Sequence, residues 1–348
     1  ISKQTMFKKM NEVITGLWLG GVYAALNDTE LKAKGVKRIV TVCDYNPLQY
    51  DKHRSEQFPL EEFQQHYVKV LDDADEDLLS HFNDCFTFIR EGLETGVGVL
   101  VHCQVGVSRS ASVVIAYLMH TDGLSLQMAC RKVSNARPII SPNPGFMSQL
   151  SLFESMGNRV DPSHPKFRQF QLYRFAQDQR RGQIETDKIP CAADPPVNAA
   201  DGEAAVYRCR RCRRPLFRSS GLMTHATYQP RGSPSEQRLR CLAAAFDDAE
   251  ADGDDYWMAE APAEAADVDC GRELFVEPVE WMREDAGAAV SGKLACPKCS
   301  AKIGSFNWAG ERCSCGQFVC PAFHIRSQAV DEPAGAAVAS VAMAEPPK

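Results

Sequence analysis

Residues 98–110, with the sequence Gly-Val-Leu-Val-His-Cys-Gln-Val-Gly-Val-Ser-Arg-Ser, decide how the surrounding chain folds. The apolar run at 97–101 predicts a strand buried in the middle of a sheet. Apolar residues recur from Ser110 onward and predict a buried helix. Between the two, Gly106 permits a tight loop whose backbone N–H groups turn inward at the start of the helix. The stretch therefore predicts a strand, an anion-binding loop and a helix in direct succession.

The side chains of this loop suit attack on a phosphoryl group. A thiol with an ordinary pKa of about 8.5 is mostly protonated at neutral pH, but N–H dipoles at a helix start lower that pKa. Cys103 is therefore the predicted nucleophile. Arg109 offers a planar, charged fork for two phosphoryl oxygens, and Ser110 can donate a hydrogen bond to the sulfur when it leaves. The predicted substrate-binding residues are those of the loop itself: Gln104, Val105, Gly106, Val107, Ser108 and Arg109.

These residues resemble the protein tyrosine phosphatase superfamily, specifically its dual-specificity phosphatases, which share the Gly-Val-Ser-Arg-Ser-Ala run at 106–111. The resemblance covers about residues 10–157. It implies hydrolysis of phosphotyrosine and phosphoserine/threonine through a cysteinyl-phosphate intermediate, without a cofactor for catalysis. It also implies that Asp72 is the general acid, with its neighbour Asp73 as the alternative, and that Asn143 helps to order the phosphate loop.

The remaining pattern of this region agrees with an α/β fold. Apolar runs predict an edge strand pair at 13–21 and buried strands at 36–42 and 67–71. Helical spacing of apolar residues predicts helices at 24–34, 78–93 and 125–136. A turn that begins at Ser141, with an Asn or Ser cap, leads into a last helix that ends at Met156. Because strands and helices alternate, we expect a central sheet flanked by helices.

Composition limits what else the chain can be. With 348 residues, 44% of them hydrophobic, and a net charge of −6, the chain is expected to be a soluble protein with two domains. It contains no run of eighteen apolar residues and no signal-type start, so no membrane segment is expected. The nucleophilic thiol and the Cys-x-x-Cys pairs require reduced cysteines, which predicts a location in the cytoplasm and nucleus.

Cysteine pairs in the C-terminal half predict two structural zinc ions. Four thiolate or imidazole ligands are what a closed tetrahedral zinc site requires. Taken in chain order, the first predicted site comprises Cys209, Cys212, His225 and Cys270, and the second comprises Cys296, Cys299, Cys313 and Cys315. Two alternatives stay open, since Cys241 could replace a ligand of the first site and Cys320 is an additional candidate.

The predicted domain organisation follows from these motifs. The catalytic domain spans 10–157, a helix and linker span 158–206, and a β-rich zinc domain spans 207–330. The helix, centred on the basic and aromatic run at 166–175, is expected to dock on a domain or to bind a partner. An acidic, alanine-rich insertion at 246–269 and the tail at 331–348 are predicted to be disordered.

The combination of the two domains resembles the zinc-binding branch of the dual-specificity phosphatases. The long acidic insertion and Cys320 depart from that branch, so transfer is least secure at the first zinc site. The resemblance implies an intracellular, often nuclear, protein that is linked through its zinc domain to maturation of the large ribosomal subunit. Pre-ribosomal particles or rRNA are therefore expected partners besides phosphoprotein substrates.

Two other functions remain open at this point. A phosphoinositide or RNA 5′-phosphate phosphatase is one, but the uncharged loop residues 104–108 favour protein substrates. A ribosome-assembly factor with dispensable catalysis is the other. Arginines around the first cysteine pair would give such a factor a basic patch for rRNA, or form a solvated face: Arg208, Arg210, Arg211, Arg213 and Arg214.

Overall fold

The computed structural model describes residues 9–50, 59–179, 186–196, 205–223, 273–316 and 318–331. These residues form two compact units, one ending at Asp161 and the other beginning at Pro162. Within the described ranges, no helix is long and apolar enough to cross a membrane. The predicted ligands His225 and Cys270, the alternative Cys241, the insertion at 246–269 and the tail beyond 331 lie outside these residues.

A five-stranded sheet forms the centre of the first unit, in the order β1-β2-β5-β3-β4. Its strands are β1 Asn11–Ile14, β2 Leu17–Gly20, β3 Val36–Cys43, β4 Gln64–Lys69 and β5 Gly98–His102. β1 is antiparallel to β2, and the other neighbours are parallel. All five residues of β5 are buried in the middle of the sheet, as the apolar run predicts. The loops that follow the parallel strands therefore meet at one edge of the sheet.

Seven helices are described in the first unit. They are α1 Val22–Ala25, α2 Asp28–Ala33, α3 Pro47–Tyr50, α4 Phe82–Glu94, α5 Arg109–Asp122, α6 Leu126–Ala136 and α7 Pro144–Ser155. α5 is buried from Arg109 to Met119 and packs on β5 and against α4, α6 and α7. The mixed α/β fold with a central sheet confirms the predicted class.

Two predicted elements differ in their bounds. The helix expected at 24–34 is divided into α1 and α2, because the Asn27 side chain accepts the Glu30 N–H and starts a new helix there. The strand expected at 67–71 ends at Lys69, where its partner β3 also ends at Cys43. Val70 and Leu71 thus belong to a loop rather than to β4.

The second unit is rich in short strands around a helix. Its helices are α8 Pro165–Gln179 and α9 Arg283–Ala288, and its strands are β6 Val206–Cys209, β7 Pro215–Arg218, β8 Leu274–Phe275, β9 Ser291–Ala295, β10 Lys302–Asn307, β11 Glu311–Arg312, β12 Phe318–Val319, β13 Ala322–Ile325 and β14 Val330–Asp331. The sheets have the orders β14-β6-β7, β8-β13-β10-β9 and β11-β12. Leu172 and Ala176 of α8 lie in the same buried cluster as Trp308 and Phe323. The basic and aromatic helix is therefore part of this unit's core.

Candidate active site and metal centre

Cys103 follows β5 directly and is buried, with 1% of its surface exposed. Its Sγ accepts hydrogen bonds from the Gly106 N–H at 3.2 Å and from the Ser110 hydroxyl at 3.2 Å. Burial alone would raise the pKa of Cys103, but the hydrogen bonds from Ser110, the charge of Arg109 and the Gly106 N–H outweigh burial and lower it. The thiolate form of Cys103 is therefore favoured.

A left-handed glycine gives the loop after Cys103 its shape. Gly106 has a φ of +76°, and a Cβ at this position would lie 2.4 Å from the Gly20 carbonyl oxygen. The loop thus packs on the turn between β2 and α1, where the Val22 N–H donates to the Gln104 carbonyl at 3.2 Å. Only glycine fits here, because both the backbone angle and the space exclude a side chain.

The other predicted loop residues divide into exposed and buried sets. The side chains of Gln104 and Val105 are exposed, and that of Val107 is half-buried. Ser108 is buried, and its hydroxyl donates to the Asp72 Oδ1 at 2.7 Å. The Ser108 side chain is therefore occupied with Asp72.

Arg109 is almost fully buried at the start of α5, with 6% of its surface exposed. Its Nη1 donates to the Val70 carbonyl at 3.1 Å, and the carboxylates of Asp44 and Asp72 each lie 3.7 Å from the guanidinium. Within the described part of the chain, the buried Nε has no hydrogen-bond partner. A buried donor of this kind is costly unless an acceptor satisfies it, and a phosphoryl oxygen in the loop is a suitable acceptor.

Asp72 and Asp73 occupy different places in the loop after β4. Asp72 lies beside the phosphate loop, where its Oδ1 accepts from the Asn143 side-chain N–H at 2.9 Å as well as from Ser108. The Asp73 carboxylate instead accepts the Asp75 N–H at 3.0 Å and closes a local turn. The structure thus brings Asp72, and not Asp73, next to Arg109.

His102 is fully buried beneath the loop. One ring nitrogen lies 2.8 Å from the Thr41 hydroxyl and the other lies 3.2 Å from the Cys103 carbonyl oxygen. Burial lowers the pKa of His102 to about 4, so the ring is neutral at neutral pH. It links β3 to the end of β5 and holds the backbone of Cys103.

Arg137 is a site residue that the sequence did not single out. This fully buried side chain donates from Nε to the Gly106 carbonyl at 2.7 Å and from Nη2 to the Val105 carbonyl at 3.1 Å. It also reaches the Lys9 carbonyl at 3.0 Å and the Asn11 Oδ1 at 2.8 Å. Arg137 therefore holds the Gly106 and Val105 carbonyls, while the Gly106 N–H faces the Cys103 sulfur. In the sequence, the Arg137-Pro138 pair only marks the end of α6.

Four cysteines form a second candidate site in the C-terminal unit. Cys209 and Cys212 lie at the turn between β6 and β7, and Cys296 and Cys299 lie at the turn between β9 and β10. Both turns place a residue of positive φ directly after the second cysteine, Arg213 at 64° and Ser300 at 54°. The four sulfurs lie within 4.8 Å of one another.

The spacing of these sulfurs fits a zinc ion. Four sulfurs placed about 2.3 Å from one zinc ion form a tetrahedron with edges of about 3.8 Å. The Cys209 and Cys299 sulfurs are 3.8 Å apart, and those of Cys212 and Cys296 are 3.6 Å apart. A hydrogen bond from the Arg214 backbone lowers the pKa of Cys212 to about 7, which favours the thiolate that zinc binds.

The predicted pairing of the cysteine motifs is wrong. Cys296 and Cys299 share a cluster with Cys209 and Cys212, not with Cys313 and Cys315. Cys313 is instead buried among Phe275, Val319 and Ala322, and Cys315 is exposed. The reason is that two similar hairpin turns face each other across the unit, although they are far apart in sequence. The alternative ligand Cys320 donates to the Trp308 carbonyl at 3.5 Å and is not part of the four-thiol group.

Comparisons with known proteins agree with this geometry. A family model described as the dual specificity phosphatase catalytic domain matches residues 17–156. Dual specificity protein phosphatase 12 of Homo sapiens is 34% identical over 325 residues, covering 93% of this chain and 88% of its own length. Dual specificity protein phosphatase MPK-4 of Drosophila melanogaster is 33% identical, with 91% and 86% covered. Tyrosine-protein phosphatase YVH1 of Saccharomyces cerevisiae is 27% identical, with 93% and 92% covered.

Proposed function

The chain belongs to the dual-specificity phosphatases, in the group of dual specificity protein phosphatase 12, and on this premise we propose how its residues carry out the reaction. It is a protein phosphatase that hydrolyses phosphotyrosine and phosphoserine/threonine. The observation that carries the proposal is the Cys103 sulfur, which is buried at the centre of a loop with two hydrogen-bond donors to it and Arg109 beside it.

In the first step, the Cys103 thiolate attacks phosphorus and an S–P bond forms. The bond between phosphorus and the leaving oxygen breaks, and that oxygen takes a proton from the Asp72 carboxyl. Arg109 and the loop N–H groups bind the phosphoryl oxygens, on which negative charge is concentrated in the transition state. The result is a cysteinyl phosphate and a free hydroxyl on the substrate.

In the second step, water attacks phosphorus and gives a proton to the Asp72 carboxylate. The S–P bond breaks and its electron pair returns to Cys103 as a thiolate. Ser110 assists here, because its hydroxyl lies 3.2 Å from the sulfur and can donate to the developing negative charge. Inorganic phosphate then leaves and the enzyme is restored.

Protein phosphomonoesters are the substrate class that the site favours over phosphoinositides and RNA 5′-phosphates. The loop residues between Cys103 and Arg109 carry no charge. The Asp44 carboxylate lies 3.7 Å from Arg109 and offsets part of its charge. A substrate with several phosphates would meet this negative charge and lose affinity, whereas one phosphorylated side chain needs only the loop and Arg109.

The test of the catalytic proposal is a pair of variants. Cys103→Ser should abolish turnover of an aryl phosphate while a phosphotyrosine peptide still binds, because the hydroxyl does not ionise but the loop remains. Adding Arg109→Met to Cys103→Ser should abolish that binding as well, which shows that the peptide occupies the loop. Turnover retained by a clean Cys103→Ser preparation would refute the assignment of the nucleophile.

We propose that one structural zinc ion binds Cys209, Cys212, Cys296 and Cys299, where it would tie two hairpins into one core. The ion would supply folding stability and no step of catalysis. A further zinc ion stays a proposal, since two of the ligands predicted from the sequence, His225 and Cys270, lie outside the described residues.

A double substitution tests this zinc pairing. Cys209→Ser and Cys296→Ser should each lower the zinc content by one equivalent, and the double variant should lower it by one as well, because both residues bind the same ion. A loss of two equivalents in the double variant would mean that the two Cys-x-x-Cys pairs bind different ions. Cys130→Ser, a buried cysteine of the catalytic unit, is the matched control and should retain the full zinc content.

We propose that the chain acts on phosphoproteins in the cytoplasm and nucleus. Fractionation of cells that express the chain would test this location. Binding to pre-ribosomal particles or rRNA is the second candidate. The arginines around the first cysteine pair give rRNA binding little support, because three of them face carboxylates. Arg210 and Arg213 both pair with Asp331, and Arg214 lies 3.5 Å from Asp194. The phosphatase reaction is therefore the function proposed for the described residues.

A further inference from the structure

The loop that carries Asp72 is held by α7 at its catalytic end. The Asn143 side-chain N–H donates to Asp72 Oδ1 at 2.9 Å, and the Asn143 backbone N–H donates to the Ser108 hydroxyl at 3.1 Å. Ser108 in turn donates to the same Asp72 oxygen at 2.7 Å. The Asn143 Oδ1 accepts the Phe146 N–H at 2.9 Å and caps α7. Because both polar atoms of the Asn143 amide are engaged, its orientation is fixed.

The same helix holds the far end of the loop. Gln149 is buried, with 1% of its surface exposed. Its Oε1 accepts the N–H groups of Leu78 and Leu79 at 2.9 and 2.8 Å, and its Nε2 donates to the Glu76 carbonyl at 2.7 Å. One buried amide therefore satisfies three backbone groups of the loop.

Between these two anchors, the backbone of α7 touches the loop directly. A Cβ at Gly145 would lie 1.9 Å from the Ala74 carbonyl oxygen. No side chain fits at that distance, so any substitution of Gly145 must displace the loop or the helix. The loop is thus in contact with α7 at its start, middle and end.

We infer that α7 positions the general acid, with Asn143 and Gln149 as positioning residues that hold the Asp72 loop in its reactive place. This inference rests on the proposed role of Asp72. With two donors on Oδ1, the proton of the acid is directed to Oδ2, which lies on the Arg109 side at 3.7 Å from Nε. A general acid must lie within hydrogen-bond reach of the leaving oxygen, and a displacement of about 1 Å can cost about a hundredfold in rate.

The experiment measures kcat/KM, which reports the first chemical step, for phosphate esters with leaving groups of rising pKa, from 4-nitrophenol through phenol to an alkyl alcohol. Asn143→Ser keeps an acceptor for the α7 cap but is too short to reach Asp72, and Gly145→Ala displaces the loop. Both variants should lose least for 4-nitrophenyl phosphate, whose leaving group needs the acid least. They should lose roughly tenfold to a hundredfold for the alkyl ester, which depends on the acid. Adding either change to Asp72→Asn should cause no further loss of that kind.

Two comparisons make the outcome decisive. Ser148→Ala removes a hydroxyl of α7 that donates to the Pro144 carbonyl of the same helix, so it should leave the leaving-group dependence unchanged. A loss that is equal for all esters in Asn143→Ser and Gly145→Ala would overturn the inference, since a purely structural defect acts on every substrate. A steep dependence in Asp72→Asn with a flat one in both α7 variants would also overturn it while leaving the proposed function intact. A flat dependence in Asp72→Asn would instead remove the general acid and the inference with it.

Discussion

Replacing Ser110 with alanine should raise the pKa of the catalytic thiol. The Ser110 hydroxyl donates to the Cys103 sulfur at 3.2 Å, and both residues are buried. This donor stabilises the thiolate more than the neutral thiol, so its loss favours the thiol. The fraction of reactive Cys103 at a fixed pH below the new pKa should therefore fall.

The size of the effect follows from the strength of one hydrogen bond to a charged group. Such a bond contributes roughly 1.5–3 kcal/mol, and one pKa unit corresponds to about 1.36 kcal/mol. Ser110→Ala should therefore raise the pKa of Cys103 by roughly 1–2 units. The Gly106 N–H and Arg109 remain in place, so the pKa should not return to that of a buried thiol without partners.

The assay is the rate of Cys103 alkylation by iodoacetamide between pH 4 and pH 10, with the modified peptide identified by mass. Other buried thiols of the catalytic unit will not interfere at neutral pH, because burial raises the pKa of each to about 12: Cys43, Cys85 and Cys130. Ser112→Ala is the matched control, since its hydroxyl lies on the same helix but donates to the Ser108 carbonyl at 2.9 Å. If Ser110→Ala and Ser112→Ala alkylate with the same midpoint as the wild type, the reasoning about the thiolate is refuted.

Two further predictions concern residues that hold the loop. Arg137→Met should lower the free energy of unfolding by roughly 1–3 kcal/mol, since the buried Gly106 carbonyl loses its donor, and it should weaken vanadate binding. Exposed Arg131→Met on α6 should do neither, and equal vanadate affinity in the two variants would contradict the role of Arg137. Burial lowers the pKa of His102 from 6.5 to about 4. Between these pH values the unfolded chain binds a proton that the folded chain does not. The free energy of unfolding should therefore fall by roughly 3 kcal/mol as the pH falls from above 6.5 to 4. Urea unfolding at several pH values should show that this fall is smaller in His102→Gln, and an unchanged fall would show that other groups cause it.

The catalytic loop could be predicted from the sequence because its parts are local. Cys103 and Arg109 lie on one strand-loop-helix segment, and the backbone of that segment alone builds the anion site. The apolar run at 97–101 also places β5 at the centre of the sheet, since such a run must be covered on both faces. Asn143 caps α7 as its position before Pro144 suggests. Each of these features is decided within a few residues.

Arg137 could not be predicted in the same way. A buried arginine is expensive unless several acceptors surround it, and the acceptors here belong to residues 31 to 128 positions away in the chain. Nothing next to Arg137 in the sequence identifies those carbonyls. The division of roles between Asp72 and Asp73 is similar, because it depends on Asn143 and Ser108, which reach the loop only in the folded chain.

The grouping of the four cysteines shows why neighbourhood in sequence is a weak guide to which thiols meet. Each turn with a Cys-x-x-Cys pair is a local structure that supplies two thiols. Nothing within one turn specifies which residues supply the other two thiols. Cys299 precedes Cys313 by 14 residues, while Cys212 and Cys296 are separated by 84. Loop closure costs only about 0.6 kcal/mol for each doubling of length, so the longer closure costs roughly 1.5 kcal/mol more. Either pairing would offer four thiolates, so this small difference in closure cost leaves the geometry of the two hairpins to decide which cysteines meet.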